Sequence, residues 1–374
     1  MPPDFSREVH CVLGLPFDCV TEAEAEAILR RAVAARRRCF VSTPNLNFVV
    51  ACLSDAEFRD SVLQSDLSLA DGWPIVSMGR MTGAGLPERV AGSSLFARIA
   101  GSPQRPPMAV YFFGGPDGAA QGACERLNCA AGGAVGVGFD APGYVSVADM
   151  SGDDRLRRIN AARPDFVVVG LGAKKGATWI QRNLDKIEAP VVSNLGAVVN
   201  FAAGTVSRAP AWVQASRLEW LWRIKEEPGL WQRYARDGLA FLGLLLTRYL
   251  PSALGAIGRA GSGGGGTAAS VDVSTAEGKT VIRLAGAWSR ANDAPLRQAF
   301  ASHAERRGPV VLDIAAVEHL DTSSIGLIAL LYGWQAKTGA GWKVQGASNA
   351  VRRDFRSVCA DYLLAERGTS SHAV

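Results

Sequence analysis

Asp71 stands in Ala70-Asp71-Gly72-Trp73-Pro74, where a glycine and a proline end the apolar segment 67–70 and place the carboxylate in a loop. A carboxylate in a cleft loop can take the proton from an attacking hydroxyl, although an Asp-Gly pair also serves as a plain turn. Thr43-Pro44-Asn45 offers polar groups at a strand end, either to orient a substrate or to cap the following helix. Arg89, in Arg89-Val90-Ala91-Gly92-Ser93, precedes a helix start, where a guanidinium and free N–H groups can hold a phosphate, or where the arginine forms a surface ion pair. Two glycine loops, Gly114-Gly115-Pro116-Asp117 and Gly170-Leu171-Gly172, follow apolar runs.

The elements that must position these residues alternate. Segments 39–41, 109–113, 166–169 and 191–192 read as strands, and 21–37, 118–130 and 178–184 as helices. That alternation predicts a parallel α/β sheet wound as two halves around a cleft, with sites in the loops that leave the carboxyl ends of the strands. The glycine run 261–266 divides this unit from a C-terminal one, because such a run maximises chain entropy and holds no packed element. The expected organisation is a core over 1–207, a basic Trp-rich helical appendage over 208–250, a linker over 251–270 and a second α/β domain over 271–374.

Composition narrows the function classes. At 374 residues, 48% hydrophobic and 20% charged, the chain can bury a large core and is not disordered. The net charge of +5 is small for this length, so nucleic acid is not an expected partner. Seven scattered cysteines with no CxxC read as free thiols in a reducing cytoplasm, and four dispersed histidines suggest neither a metal site nor a triad. The N-terminus lacks a basic segment followed by an apolar one, and the longest apolar run, 238–246, is too short to span a bilayer; neither export nor spanning is expected. Residues 208–259 hold eight Lys/Arg against four Asp/Glu, which accounts for +4 of that charge. Interleaved with Trp212, Trp220, Trp222 and Trp231, they suit an anionic bilayer surface or an ordinary packed helical tail with a solvated basic face. A nicotinamide-dependent dehydrogenase would need a Gly-x-Gly-x-x-Gly turn after the first strand, and none opens the chain.

Taken in order, the Thr-Pro-Asn, Ala-Asp-Gly and Arg-Val-Ala-Gly motifs, Phe113-Gly114-Gly115, Arg163-Pro164-Asp165, Gly170-Leu171-Gly172, Ala203-Gly204-Thr205, Arg208-Ala209-Pro210 and Leu218-Glu219-Trp220-Leu221-Trp222-Arg223 resemble the WecG/TagA/CpsF glycosyltransferases (glycosyltransferase family 26) over residues 10–245. The resemblance implies a Rossmann-like, inverting enzyme. It would move an N-acetylmannosamine-type sugar or glucuronic acid from a UDP donor to a polyprenyl-diphosphate-linked acceptor, in bacterial surface polysaccharide synthesis. The enzyme would sit peripherally on the inner face of the cytoplasmic membrane. Asp71 would be the general base with Thr43 and Asn45 beside it. Arg89, Gly114, Gly115, Gly170, Gly172, Lys174 and Gln181 would serve the donor, with Arg223 and Arg233 closing over it. No Asp-x-Asp triplet is found, so no metal cofactor is expected.

The chain departs from the family's Gly-Leu-Gly-x-Pro-Lys-Gln-Glu at Gly176 and Ala177, and carries Asn200 where an aspartate is common. That departure keeps open a second class, a catalytically weak nucleotide-sugar-binding scaffold or sensor. Beyond the linker, strands at 271–273, 280–284 and 310–314 and helices at 294–306 and 324–338 make a small α/β module. Leu320-Asp321-Thr322-Ser323-Ser324-Ile325-Gly326 resembles the serine loop of STAS domains, which implies an unidentified protein partner and Ser323 as a phosphorylation site. Asp321, Thr322 or Ser323 is alternatively only a helix cap. A homo-oligomer is left open.

Overall fold

The computed structural model describes residues 2–130, 132–206, 209–210, 212–213, 216, 219–249 and 268–369. The glycine run and most of the expected linker lie outside the described residues, as do Arg208, Arg217 and Leu218. The N-terminal unit opens with an antiparallel hairpin, β1 (Val9–Val12) and β2 (Leu15–Asp18). It continues with β3 (Cys39–Ser42), β4 (Leu67–Ser68), β5 (Met108–Gly114), β6 (Ala134–Asp140), β7 (Phe166–Gly170) and β8 (Val191–Asn194). These six form an all-parallel sheet in the order β4-β3-β8-β7-β5-β6. The predicted Rossmann-like α/β class is therefore the observed one.

Successive strand residues point to opposite faces, so a strand buried on both faces reads as one unbroken apolar run. Val110 and Phe112 of β5 join Phe166 and Val168 of β7 in a core with helices Glu22–Ala34, Gly92–Gly101, Ala119–Cys129 and Gly196–Ala203. Tyr111, Phe113, Val167 and Val169 face the other way, onto Leu156, Ile159, Trp179 and Ile180. Phe113 stacks on Trp179 with ring centroids 4.2 Å apart.

The C-terminal unit is a four-stranded sheet of β9 (Ser270–Ala276), β10 (Lys279–Trp288), β11 (Val310–Leu320) and β12 (Trp342–Gln345), in the order β12-β11-β10-β9. Its helix Thr322–Thr338 is buried continuously from Thr322 to Gln335. A helix apolar all round needs cover on every side. One side is covered by its own sheet and the other by the hairpin and helix Ala56–Leu63, so a single core runs from Phe5 to Leu363. Gly326 and Gly333, two turns apart, make this possible. A Cβ at Gly326 would stand 3.2 Å from the Cys11 nitrogen, and one at Gly333 would stand 2.6 Å from the Leu63 carbonyl oxygen. Polar ties border the contact. Arg297 donates to the carbonyls of Phe5 and Arg7, each at 2.7 Å; Arg367 donates to Asp60 at 2.6 Å; and the Thr322 hydroxyl meets His10 Nδ1 at 2.6 Å.

This packing encloses Ser323. Its side chain is 0% exposed and donates to Asp293 Oδ2 at 3.2 Å, so no kinase reaches it in this arrangement. Asp321 is the helix cap, accepting from the Ser324 N–H at 2.8 Å.

Among the described residues the appendage includes helices Glu219–Glu226 and Trp231–Leu244. The second lies along helix Leu46–Ser54, and Asn47 donates to the buried Asp237 at 3.0 Å. No helix among the described residues is long and apolar enough to cross a membrane.

Replacing Gly333 by alanine tests the docking of helix Thr322–Thr338. In an open helix that change stabilises by about 1 kcal/mol. Here the added methyl meets the Leu63 carbonyl, so thermal melts of the full chain are expected to show Gly333→Ala several degrees below the native protein, and a rise would contradict the contact.

Candidate active site

The carboxyl ends of the parallel strands converge on one cleft of about 380 Å³. Thr43 and Asn45 follow β3, Asp71 follows β4, Pro116 follows β5, Gly170 and Gly172 end and follow β7, and Asn194 ends β8. The appendage supplies the remaining wall through Glu219, Trp222, Arg223, Glu226, Glu227 and Arg233. Open α/β sheets bind ligands at this edge because loops and helix N-termini meet there.

Asp71 is held from two sides. Its N–H donates to the Pro44 carbonyl at 3.1 Å, and the Gly92 N–H at the start of helix Gly92–Gly101 favours the charged form of its carboxylate. Gly92 packs closely, since a Cβ would lie 2.5 Å from Leu195 Cδ2 and 3.3 Å from Thr43 Oγ1 and would have to displace the leucine. Burial raises the Asp71 pKa to about 6, against the pull of Arg89, Arg223 and the Gly92 N–H; Glu219 adds to the rise. Asn45 caps helix Leu46–Ser54, accepting from the Phe48 N–H at 3.2 Å, so it both builds the loop and faces the cleft.

The positive groups are sorted differently from expectation. Arg89 does not line the cleft; both its terminal nitrogens donate to Glu219, one of them at 3.0 Å to Oε1. Arg223 and Arg233 do line it and form no carboxylate ion pair among the described residues. The Arg223 guanidinium lies 5.9 Å from the Phe201 ring centre, and Arg233 Nε is buried without a partner. Helices Ala173–Asn183 and Gly196–Ala203 also begin at the cleft and add unpaired N–H groups.

Four other expected donor residues lie elsewhere. Lys174 points away and pairs with Asp55 at 2.5 Å, because it sits on the outer face of its helix. Gln181 is two turns further along that helix and does not line the cleft. Gly114 and Gly115 are packing residues behind the site. Both have positive φ, the Gly115 N–H donates to the Gly170 carbonyl at 2.8 Å, and a Cβ at Gly115 would meet Val199 at 2.8 Å.

Asn194, Asn200 and Glu219 are site residues that sequence reasoning did not assign. Asn194 donates to the carbonyls of Gly172 and Ala173 at 2.8 and 3.0 Å and so closes the glycine loop. It also explains Gly176, where a Cβ would stand 2.4 Å from the Asn194 carboxamide. The buried Asn200 Oδ1 lacks a partner among the described residues. Far from the cleft, Glu8, His10 and Cys19 bring ligand atoms within 4.8 Å of one another, a convergence not expected from the sequence. Arg290, 2.8 Å from Glu8, already supplies a cation there.

Residues 10–254 match the Glycosyl transferase WecG/TagA/CpsF family, and residues 271–365 match the STAS domain described as Mlab. An N-acetylglucosaminyldiphosphoundecaprenol N-acetyl-beta-D-mannosaminyltransferase of Bacillus subtilis (strain 168) is 26% identical over 193 residues, covering 52% of this chain and 73% of that protein. The enzyme of the same name from Staphylococcus aureus (strain MW2) is 22% identical over 228 residues, covering 60% of this chain and 86% of its own. With the matched segment spanning every strand of the parallel sheet and the appendage, the chain belongs to the WecG/TagA/CpsF glycosyltransferase family, joined to a C-terminal STAS domain.

Proposed function

We propose that the chain transfers an N-acetylmannosamine-type sugar, with inversion, from a UDP donor to a polyprenyl-diphosphate-linked acceptor. The observation that carries this reading is the placement, in one cleft, of the Asp71 carboxylate with two arginines that form no ion pair among the described residues. The activity for which the relatives are named supports the sugar and the lipid-linked acceptor. The acceptor hydroxyl attacks the anomeric carbon as Asp71 takes its proton, and the bond from that carbon to the diphosphate oxygen breaks. A single displacement inverts the centre. Negative charge grows on the departing UDP, where Arg223, Arg233 and the N–H groups at the starts of the two cleft helices can meet it. With its pKa raised to about 6, Asp71 is ionised at neutral pH yet is a stronger base than an exposed aspartate.

The exposed apolar residues of the appendage extend the proposal to a bilayer surface. Trp231 is 57% exposed and Leu239 72%, on a helix that also carries Arg236; Trp220 is 44% exposed on the helix that carries Lys225, and Trp212, ahead of both, is 70% exposed. A lipid-linked acceptor requires the cleft to lie near the headgroups, and this face suits that placement.

UDP release from UDP-N-acetylmannosamine, with lipid-linked acceptor in liposomes, is expected to be acceptor-dependent. Asp71→Asn is expected to lower it by about 10²–10⁴-fold. In the native protein kcat/KM should rise with pH through about 6, because the base acts only when ionised, and that acidic limb should be absent from the residual activity of the variant. Stability should move the opposite way. A folded pKa above the unfolded one costs stability as pH rises, so Asp71→Asn is expected to raise unfolding free energy near pH 7.5 by up to about 3 kcal/mol. The gain should fade as pH falls from about 6 towards about 4, as urea titrations at several pH values would show. Replacing Trp231 and Leu239 together by alanine should reduce sedimentation with anionic liposomes severalfold and leave the melting temperature nearly unchanged, since both side chains are exposed.

A further inference from the structure

Helix Trp231–Leu244 carries Arg233 in its first turn, at the cleft, and runs on through Leu245–Tyr249 to a junction of three parts of the chain. Its cleft end is held by polar ties and little burial: the Arg89–Glu219 pair fastens the preceding helix and Asn47 donates to Asp237. Helix Glu219–Glu226 buries none of its residues, and helix Trp231–Leu244 buries only Asp237. The far end is different. Tyr249 is buried, the Leu13 N–H donates to its hydroxyl at 3.3 Å, and the neighbouring Arg248 pairs with Asp361 of the STAS domain. Tyr362, next to Asp361, donates to the Gly14 carbonyl at 2.8 Å and lies 3.9 Å beneath the Arg59 guanidinium. At φ +84°, Gly14 lets the hairpin turn approach the STAS backbone, since a Cβ there would stand 2.7 Å from the Cys359 carbonyl oxygen.

We propose that the STAS domain is a clamp docked in cis, whose partner is this chain's own hairpin and appendage. Tyr249 and Asp361 are positioning residues that hold the far end of the helix so that Arg233 stays over the cleft. A helix transmits such a constraint because it is stiff over the roughly 24 Å that separate positions 233 and 249. The effect on the donor rests on the transferase reading above; the clamp itself does not.

The test uses the full-length protein. Hydrogen exchange without ligand is followed in helix Trp231–Leu244, for the native chain, Tyr249→Phe and the double variant Tyr249→Ala/Asp361→Ala. Exchange in that helix is expected to be about tenfold faster in the double variant, with β10 and β11 unchanged and Tyr249→Phe near native, because the ring packing survives. Both kcat and kcat/KM for UDP-N-acetylmannosamine should fall severalfold, because Arg233 meets charge that grows only as UDP departs. Unchanged exchange in the double variant would overturn the clamp, and faster exchange with unchanged kcat and kcat/KM would overturn the positioning role. If exchange behaves as expected but the native protein turns over no UDP-sugar, the clamp stands and the transferase reading fails. Should the double variant not fold, a protease site placed in the glycine run 261–266 of the native chain decides the docking on which the clamp rests. After cleavage the two pieces are expected to co-elute on size exclusion, and separation would overturn the proposal.

Discussion

The ion pair between Arg89 and Glu219 is the constraint on which the cleft depends. Both side chains are largely shielded, at 16% and 25% exposure, so removing either would leave a charge poorly solvated. Glu219 opens a helix that buries none of its residues, and the pair fastens that helix to the loop before Gly92. Arg223 lies four residues on, on the same face, and is carried to the cleft by the same contact. The electrostatics follow from this placement. Arg89 and Arg223 favour the charged form of Asp71, burial and Glu219 oppose it, and the balance raises its pKa to about 6. The arginine read from the sequence as a phosphate ligand therefore acts one step back, by fixing the helix that brings another arginine forward.

What the sequence discloses and what it hides have physical causes. β3, β5, β7 and β8 are legible because strands buried on both faces show as continuous apolar runs, and Thr43, Asn45 and Asp71 are legible because they follow such runs. β6 is not, since Gly136 and Gly138 weaken its pattern. Both are required, as a Cβ would stand 2.5 Å from Cys124 Sγ at the first and 2.6 Å from the Tyr111 ring at the second. The pairing of Arg89 with Glu219 crosses 130 residues and that of His10 with Thr322 crosses 312; such contacts leave no local signal. Lys174 shows the converse: adjacency to a glycine loop suggests a phosphate ligand, but the helical turn carries its side chain to Asp55.

The departure at Gly176 acquires a local reason. Asn194 bridges two carbonyls of the Gly172 loop from the end of the neighbouring strand, and the space it uses is the space a side chain at position 176 would need. The loop is thus closed by a carboxamide from β8. Restoring a glutamine at 176 alone would drive it into Asn194, so such a variant reports on steric conflict before it reports on sugar selection.

The same economy governs the serine loop of the STAS domain. Three of its polar groups already have partners: Asp321 caps the helix and also accepts from the Arg290 N–H at 2.8 Å, Ser323 faces Asp293, and Thr322 faces His10. A phosphate on Ser323 would place a dianion beside the Asp293 carboxylate in a site without water access, where like charges repel strongly. Modification would therefore require the helix to leave the hairpin first. Leaving would expose Gly326, Gly333 and the apolar side of a helix that has no solvated face. The serine loop is consequently part of an intramolecular seam, and any control exercised through the STAS domain has to act on the seam as a whole.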